Sequence, residues 1–208
     1  MVTVFQQFID GIRQTGWLEF VAVISGIVSV WYSRKEDILL YPIGLLNTTI
    51  YIYLSLKAQL YGEASVNLYY TIVSIYGWIV WSRRNDNQVA HLKIRSSSPR
   101  EWIIQLLFFL FFYLVIYFTL KRLQEDFSPG VIPWADALAS ASAYTGMWLM
   151  ARKKLESWYW WILTNISSIP LYFVKGFVFT GVYYSILLIM AFYGLAEWKK
   201  KSFANKHE

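Results

Sequence analysis

The chain has 208 residues, 57% of them hydrophobic and only 15% charged, whereas a soluble domain is about 45–50% apolar and about 25% charged. This composition excludes an ordinary soluble domain and fits a polytopic membrane protein, as does an aromatic content of 20% with 11 Trp, because Trp and Tyr concentrate at membrane interfaces. The net charge is +6 and there is no cysteine, so the basic excess reads as a topology signal and not as a nucleic-acid site, and disulfides, thiolate nucleophiles and Cys-held metals are excluded.

The first sixteen residues form an N-terminal segment with no basic region and small-residue cleavage site, so no cleavable signal peptide is expected. Seven helices follow, over 17–33, 38–57, 61–81, 101–120, 134–151, 157–175 and 178–198. Each is long enough to cross a hydrocarbon core of about 30 Å at about 1.5 Å per residue. The connections are short except around 82–100 and 121–133, where Pro129, Gly130 and Pro133 end one helix and start the next. A basic tail, 199–208, closes the chain.

Lys and Arg gather on one set of helix ends: Arg34, Lys35, Arg83, Arg84, Lys93, Arg95, Arg100, Arg152, Lys153, Lys154, Lys199, Lys200, Lys201 and Lys206. The other set holds Arg13, Lys57, Lys121, Arg122 and Lys175. The richer side is expected to be cytoplasmic, with the N-terminus outside and the C-terminus inside.

Residues 17–81 resemble residues 134–198. At an offset of 117, Trp17 matches Trp134, Glu19 matches Asp136, Trp31 matches Trp148, Tyr76 matches Tyr193, Gly77 matches Gly194 and Trp81 matches Trp198. At 118, Asn47 matches Asn165 and Lys57 matches Lys175. Three helices, a linker (82–133) carrying one helix, and three more helices make a 3+1+3 parallel repeat about an axis along the membrane normal, with a substrate site expected near the midplane between the halves.

The richest segment is Trp158-Tyr159-Trp160-Trp161-Ile162-Leu163-Thr164-Asn165. Trp158, Trp161 and Asn165 fall on one helical face. An amide in hydrocarbon is costly unless it is paired or faces a polar cavity, and aromatic faces beside it suit a flat, partly polar solute. Asn47, Asn67 and Tyr184, the counterpart of Asn67, complete the candidate lining. Each has a plainer reading as a packing or helix-bonding group. Trp31, Trp81, Trp148 and Trp198 read as interface anchors. Glu19, Asp136, Glu63 and Glu156 read as hydrated first-turn carboxylates, and Pro42 and Pro170 as bends or static kinks.

The Trp158-x-x-Trp161-x-x-x-Asn165 pattern, the Ile75-Tyr76-Gly77-Trp78-x-x-Trp81 ending of the third helix and the 3+1+3 plan resemble the bacterial Pnu vitamin transporters. The resemblance implies an all-α membrane fold similar to a full-length SWEET-type transporter. It implies a homotrimer in the inner membrane, and facilitated uptake of nicotinamide riboside trapped by intracellular phosphorylation. Trp158, Trp161 and Asn165 map onto the family's site, and Asn67 onto a helix-three amide that is usually glutamine. Relatives carry thiamine or riboflavin on the same scaffold. Its partners would be the vitamin and membrane lipid, without nucleic acid or cofactor.

Competing classes are weaker. A retinal protein needs a lysine midway along the last helix, and 178–197 holds none. An enzyme needs clustered His, Asp, Glu or Cys within the spans, and His91 and His207 lie in a loop and the tail. No Gly-rich phosphate loop points to ATP-driven transport. A non-transporting assembly subunit remains an alternative, which failure of the purified protein to bind substrate would favour.

Overall fold

The computed structural model describes residues 6, 9, 16–57, 61–83, 92–126, 132–175 and 177–204. Arg13, Arg84, His91, Pro129, Gly130, Lys206 and His207 lie outside the described residues, as does the side chain of Glu63. Seven long helices follow in order: α1 (Trp17–Lys35), α2 (Leu40–Lys57), α3 (Tyr61–Ser82), α4 (Pro99–Asp126), α5 (Pro133–Ala151), α6 (Ser157–Val174) and α7 (Val178–Ala204). The expected boundaries differ most at α4 and α7. α4 begins at Pro99, a residue suited to a first turn because it lacks the N–H that a helix start leaves unpaired. α7 runs on through Lys199–Lys201 to Ala204, so the basic run is helical.

α4 and α7 are each long and apolar enough by themselves to cross a membrane. The other five helices carry Ser, Thr, Asn and Gly among their apolar residues. Several of these hydroxyls bond their own helix. Ser142 donates to the Leu138 carbonyl at 2.7 Å, Thr145 to Ala141 at 2.8 Å, and Thr164 to Trp160 at 2.9 Å. Such back-bonding satisfies small polar groups where no water is present. It lets α5, with Ala135, Ala137, Ala139, Ala141 and Ala143 buried, approach its neighbours closely.

Helix packing makes a closed ring. α1 touches α2, α2 touches α3, α3 touches α5, α5 touches α6, α6 touches α7, and α7 returns to α1. α4 stands outside against α5, with Ile103, Leu107, Phe111 and Phe118 on its exposed side. A polar network ties α4 to the α5–α6 connection. Glu156 accepts from the Ser97 backbone N–H at 2.8 Å and from its hydroxyl at 2.7 Å. Gln105 donates to Ser97 Oγ at 2.7 Å and accepts the Trp160 indole N–H at 3.2 Å. Lys154 donates to Glu101 at 2.6 Å, and an isolated parallel bridge joins Arg95 to Lys154. Burial pushes the Lys154 ammonium below the usual lysine range, while Glu101 pulls it back up.

Three sequence-based expectations are corrected here. Glu156 is buried and bonded to Ser97, not hydrated. Asp136 is ion-paired with Lys175 at 2.7 Å and also accepts the Ile132 backbone N–H at 2.9 Å. A buried or half-buried carboxylate with donors in reach pairs with them. Pro42 stands in the first turn of α2, where it displaces no helical hydrogen bond; Pro170 lies inside α6.

Trp81 and Trp198 are likewise not interface anchors. They are 7% and 0% exposed. Trp81 Nε1 donates to the Ala151 carbonyl at the end of α5, and Trp198 Nε1 to the Ser33 carbonyl near the end of α1, each at 3.1 Å. Last-turn carbonyls have no intrahelical donor, so they offer a buried indole N–H the partner that headgroups offer elsewhere. The Ser33 carbonyl also accepts from Glu36 N–H at 3.0 Å. Trp81→Phe is therefore expected to cost more, about 1–3 kcal/mol, than Trp198→Phe, about 0.5–1.5 kcal/mol. Thermal melts in detergent check the order; equal melting temperatures for parent and both variants would show that these bonds contribute nothing.

Candidate functional site

Two layers of aromatic side chains fill the middle of the ring. The lower one lies at the end where Lys and Arg collect, the basic end. There Tyr41, Trp81, Trp158 and Trp198 join Leu40, Ile94, Met150, Leu155 and Ala191 in a buried cluster. Tyr41 meets Trp81 edge-on at 5.3 Å, and Trp158 meets Trp198 edge-on at 5.6 Å. Tyr41 packs on Gly77 and Trp158 on Gly194 so closely that a Cβ at either glycine would collide with the ring. The Tyr41 hydroxyl and the Trp158 indole N–H are buried without hydrogen-bond partners.

The second layer is deeper along the helices. Tyr144 on α5 lies 4.4 Å from Tyr69 and 6.2 Å from Tyr70, both on α3. The Tyr69 hydroxyl donates to the Tyr144 carbonyl at 3.0 Å. Trp161 on α6 lies 6.3 Å from Tyr70 and rests against Gly146 of α5. The backbone of α3 touches neither α6 nor α7. Tyr70 and Trp161 therefore meet across the interior of the ring, whereas Tyr69 and Tyr144 meet along the α3–α5 seam, where both also pack against Phe112 of α4.

The predicted residues fall around this layer in different ways. Trp161 belongs to it. Asn165, one turn on along α6, shares the Trp161 face and is 3% exposed; no hydrogen bond to its amide is found among the described residues. Asn47 differs: its Nδ2 donates to the Ala22 carbonyl on α1 at 2.6 Å, which makes it a helix–helix tie. Tyr183 reaches the same place, since a Cβ on Gly26 would meet both its hydroxyl and the Asn47 amide. Asn67 is buried on α3. Tyr184 stacks on Tyr172 at 5.1 Å and meets Tyr183 edge-on at 5.6 Å. Trp158 lies in the lower cluster, a turn from Trp161, and its ring contact there is with Trp198.

Sequence reasoning missed Tyr69, Tyr70, Tyr144 and Tyr183. Tyr144 is the first bulky side chain after the Ala/Ser-rich run 139–143 of α5, the signal that could have marked it. An apolar crevice of about 350 Å³ between α1 and α2, lined by Phe20, Val21, Ile24, Ser25, Val28, Ile43 and Leu46, opens on the outer side and is not part of the site.

The arrangement suits a planar, electron-poor solute. Aromatic faces attract a cationic ring by about 0.5–2 kcal/mol each, and hydroxyls and an unpaired amide can bond polar substituents. Among the described residues no group of acidic, His or Cys side chains fit to hold a metal occurs.

The nicotinamide riboside transporter PnuC of Escherichia coli (strain K12) is 26% identical over 202 residues, taking in 88% of this chain and 84% of that protein. The riboflavin/roseoflavin transporter RibM of Streptomyces davaonensis is 23% identical over 190 residues, taking in 89% of this chain and 86% of that protein. The crystal structure of the vitamin B3 transporter PnuC superposes with a TM-score of 0.69 at 22% identity, covering 97% of this chain and 88% of that one, and so shares the fold. Residues 16–200 match the nicotinamide mononucleotide transporter family, and this protein belongs to that family.

Proposed function

We propose that this chain carries nicotinamide riboside into bacterial cells across the inner membrane by facilitated diffusion, with intracellular phosphorylation trapping the product. The observation that carries this reading is the buried Asn165, without a hydrogen bond to its amide among the described residues, on the same face as Trp161, whose ring meets Tyr70 across the ring of helices. Nicotinamide riboside is a pyridinium cation bearing an amide and ribose hydroxyls, which match aromatic faces and a free carboxamide. Asn67 and Tyr184 complete the lining, Asn47 offers its remaining carbonyl oxygen, and the unpartnered Trp158 indole N–H is a donor for bound solute or water.

The scaffold works as two three-helix units, 17–81 and 134–198, in a 3+1+3 parallel repeat like a full-length SWEET-type transporter. The ring supports this, because exchanging α1–α3 with α5–α7 maps each of its six contacts onto another; only the contact of α4 with α5 has no counterpart. Tyr41, Gly77 and Trp81 correspond, 117 residues on, to Trp158, Gly194 and Trp198, with matching edge-on rings. The units rock about the aromatic layer, exposing it to either side in turn. All seven helices span the membrane with the basic end cytoplasmic, the N-terminus outside, and the protein a homotrimer as the family resemblance implies.

Riboflavin is the second reading, favoured by the similarity to RibM; thiamine, another flat cation, is the third. Binding of each vitamin to purified protein separates them. Nicotinamide riboside is expected to bind most tightly, and Trp161→Ala to weaken it more than tenfold. Tighter binding of riboflavin or thiamine would reassign the substrate, and an unaltered dissociation constant would assign Trp161 to packing. Uptake into proteoliposomes should persist with a protonophore; collapse would contradict facilitated diffusion.

A further inference from the structure

The connections after α1 and after α5 meet at the basic end. Lys153 Nζ lies 2.7 Å from Glu36 Oε1. These two residues are 117 positions apart, the offset of the repeat, and each follows the first helix of its unit. Both have left-handed backbones, φ 66° at Glu36 and 50° at Lys153, and no other described non-glycine residue has positive φ. Such conformations cost on the order of 1–3 kcal/mol, persist only where the surroundings dictate them, and collect in switch regions.

The pair is sheltered and doubly held. Lys153 is 4% exposed, and its ammonium sits 4.5 Å from the centre of the Trp81 ring. The second Glu36 oxygen lies 3.1 Å from Lys201 Nζ. Close by run three further bonds between the units: Trp81 to the Ala151 carbonyl, Trp198 to the Ser33 carbonyl, and the Ser33 hydroxyl to Met150 Sδ at 3.1 Å. The ion pair thus caps an aromatic plug that lies between the upper aromatic layer and the basic end.

We propose that Glu36 and Lys153 form the gate at this end, a charged latch between the two units that must part for solute to pass. The inference rests on the carrier reading above. Cross-unit contacts at one end of a rocking pair of bundles must break when that end opens. An ion pair at the rim parts at low cost because water solvates both charges once they are exposed.

The natural sequence has no cysteine, which permits a direct test. Glu36→Cys with Lys153→Cys, bridged by a short reducible thiol cross-linker, should lose more than nine-tenths of nicotinamide riboside uptake in proteoliposomes. Reduction should restore it, and binding should persist while the bridge is in place. Uptake at the unbridged rate with the bridge complete would overturn the gate. A separate arm uses Ser33→Cys and a membrane-impermeant maleimide applied at the basic end. Adding Lys153→Gln should raise the labelling rate at least tenfold, and Lys153→Arg should hold it at the slow rate. Equal rates in all three would reduce the pair to a static brace. If the parent protein binds no nicotinamide riboside, the carrier reading fails instead, and labelling still decides whether the latch controls access.

Discussion

Asn165→Leu is expected to abolish nicotinamide riboside uptake while leaving the protein folded. Asn165 is 3% exposed and its amide makes no hydrogen bond among the described residues, so its removal breaks no bond that holds the fold. Leucine has similar bulk and no polar atom. The melting temperature of the variant should therefore equal or exceed that of the parent. The solute, by contrast, would enter with its own polar groups facing a hydrocarbon side chain, and each such group left unmatched costs about 1–3 kcal/mol, or roughly tenfold in affinity for every 1.4 kcal/mol. Asn47→Leu is the informative comparison. Its amide is already committed to the Ala22 carbonyl at 2.6 Å, so its removal should lower the melting temperature. Uptake by Asn165→Leu at the parent rate would remove this residue from the site.

Gly194→Val is expected to be the most damaging substitution to the fold, at about 3 kcal/mol or more. Overpacking a filled core costs about 1–3 kcal/mol when neighbours can yield. Here the added carbon collides with the Trp158 ring. That ring is 1% exposed and is backed by Trp198, itself fully buried. Neither ring has free volume to enter, and Trp198 is further fixed by its bond to Ser33. Gly16→Ala is the control, because nothing lies within 4 Å of a Cβ there, and it should melt like the parent. Thermal melts followed by fluorescence give the comparison. A Gly194→Val protein as stable as Gly16→Ala would mean that the aromatic plug is loose. Gly77→Val, against Tyr41, should behave in the same way.

Much of the architecture was readable in advance. In hydrocarbon every helix must satisfy its own backbone, so apolar length and the position of Lys and Arg mark helices with little help from long-range contacts. That is why the seven segments were found to within a few residues, save where α4 and α7 extend beyond their apolar stretches. Trp161 and Asn165 were readable for a related reason: their spacing on one helical face is a local property. Tyr70, Tyr144 and Tyr183 carried no such mark, since none has an aromatic or polar mate at the repeat offset and tyrosine is abundant throughout.

By itself, then, the sequence determined the seven helices, the end at which Lys and Arg collect and the face of α6 that bears an amide. The tertiary structure alone decided which polar groups are already spoken for. Asn47 and Asn165 stand 118 residues apart on α2 and α6, yet Asn47 is bonded to a neighbouring helix, while Asn165 makes no side-chain hydrogen bond among the described residues. Trp81 and Trp198 look like headgroup anchors, yet donate to carbonyls of α5 and α1. Glu36 and Lys153 look like ordinary loop charges, yet meet at 2.7 Å. A polar group in a membrane protein takes whichever partner the fold brings within reach, and that partner lies far away in sequence, where no local pattern records it.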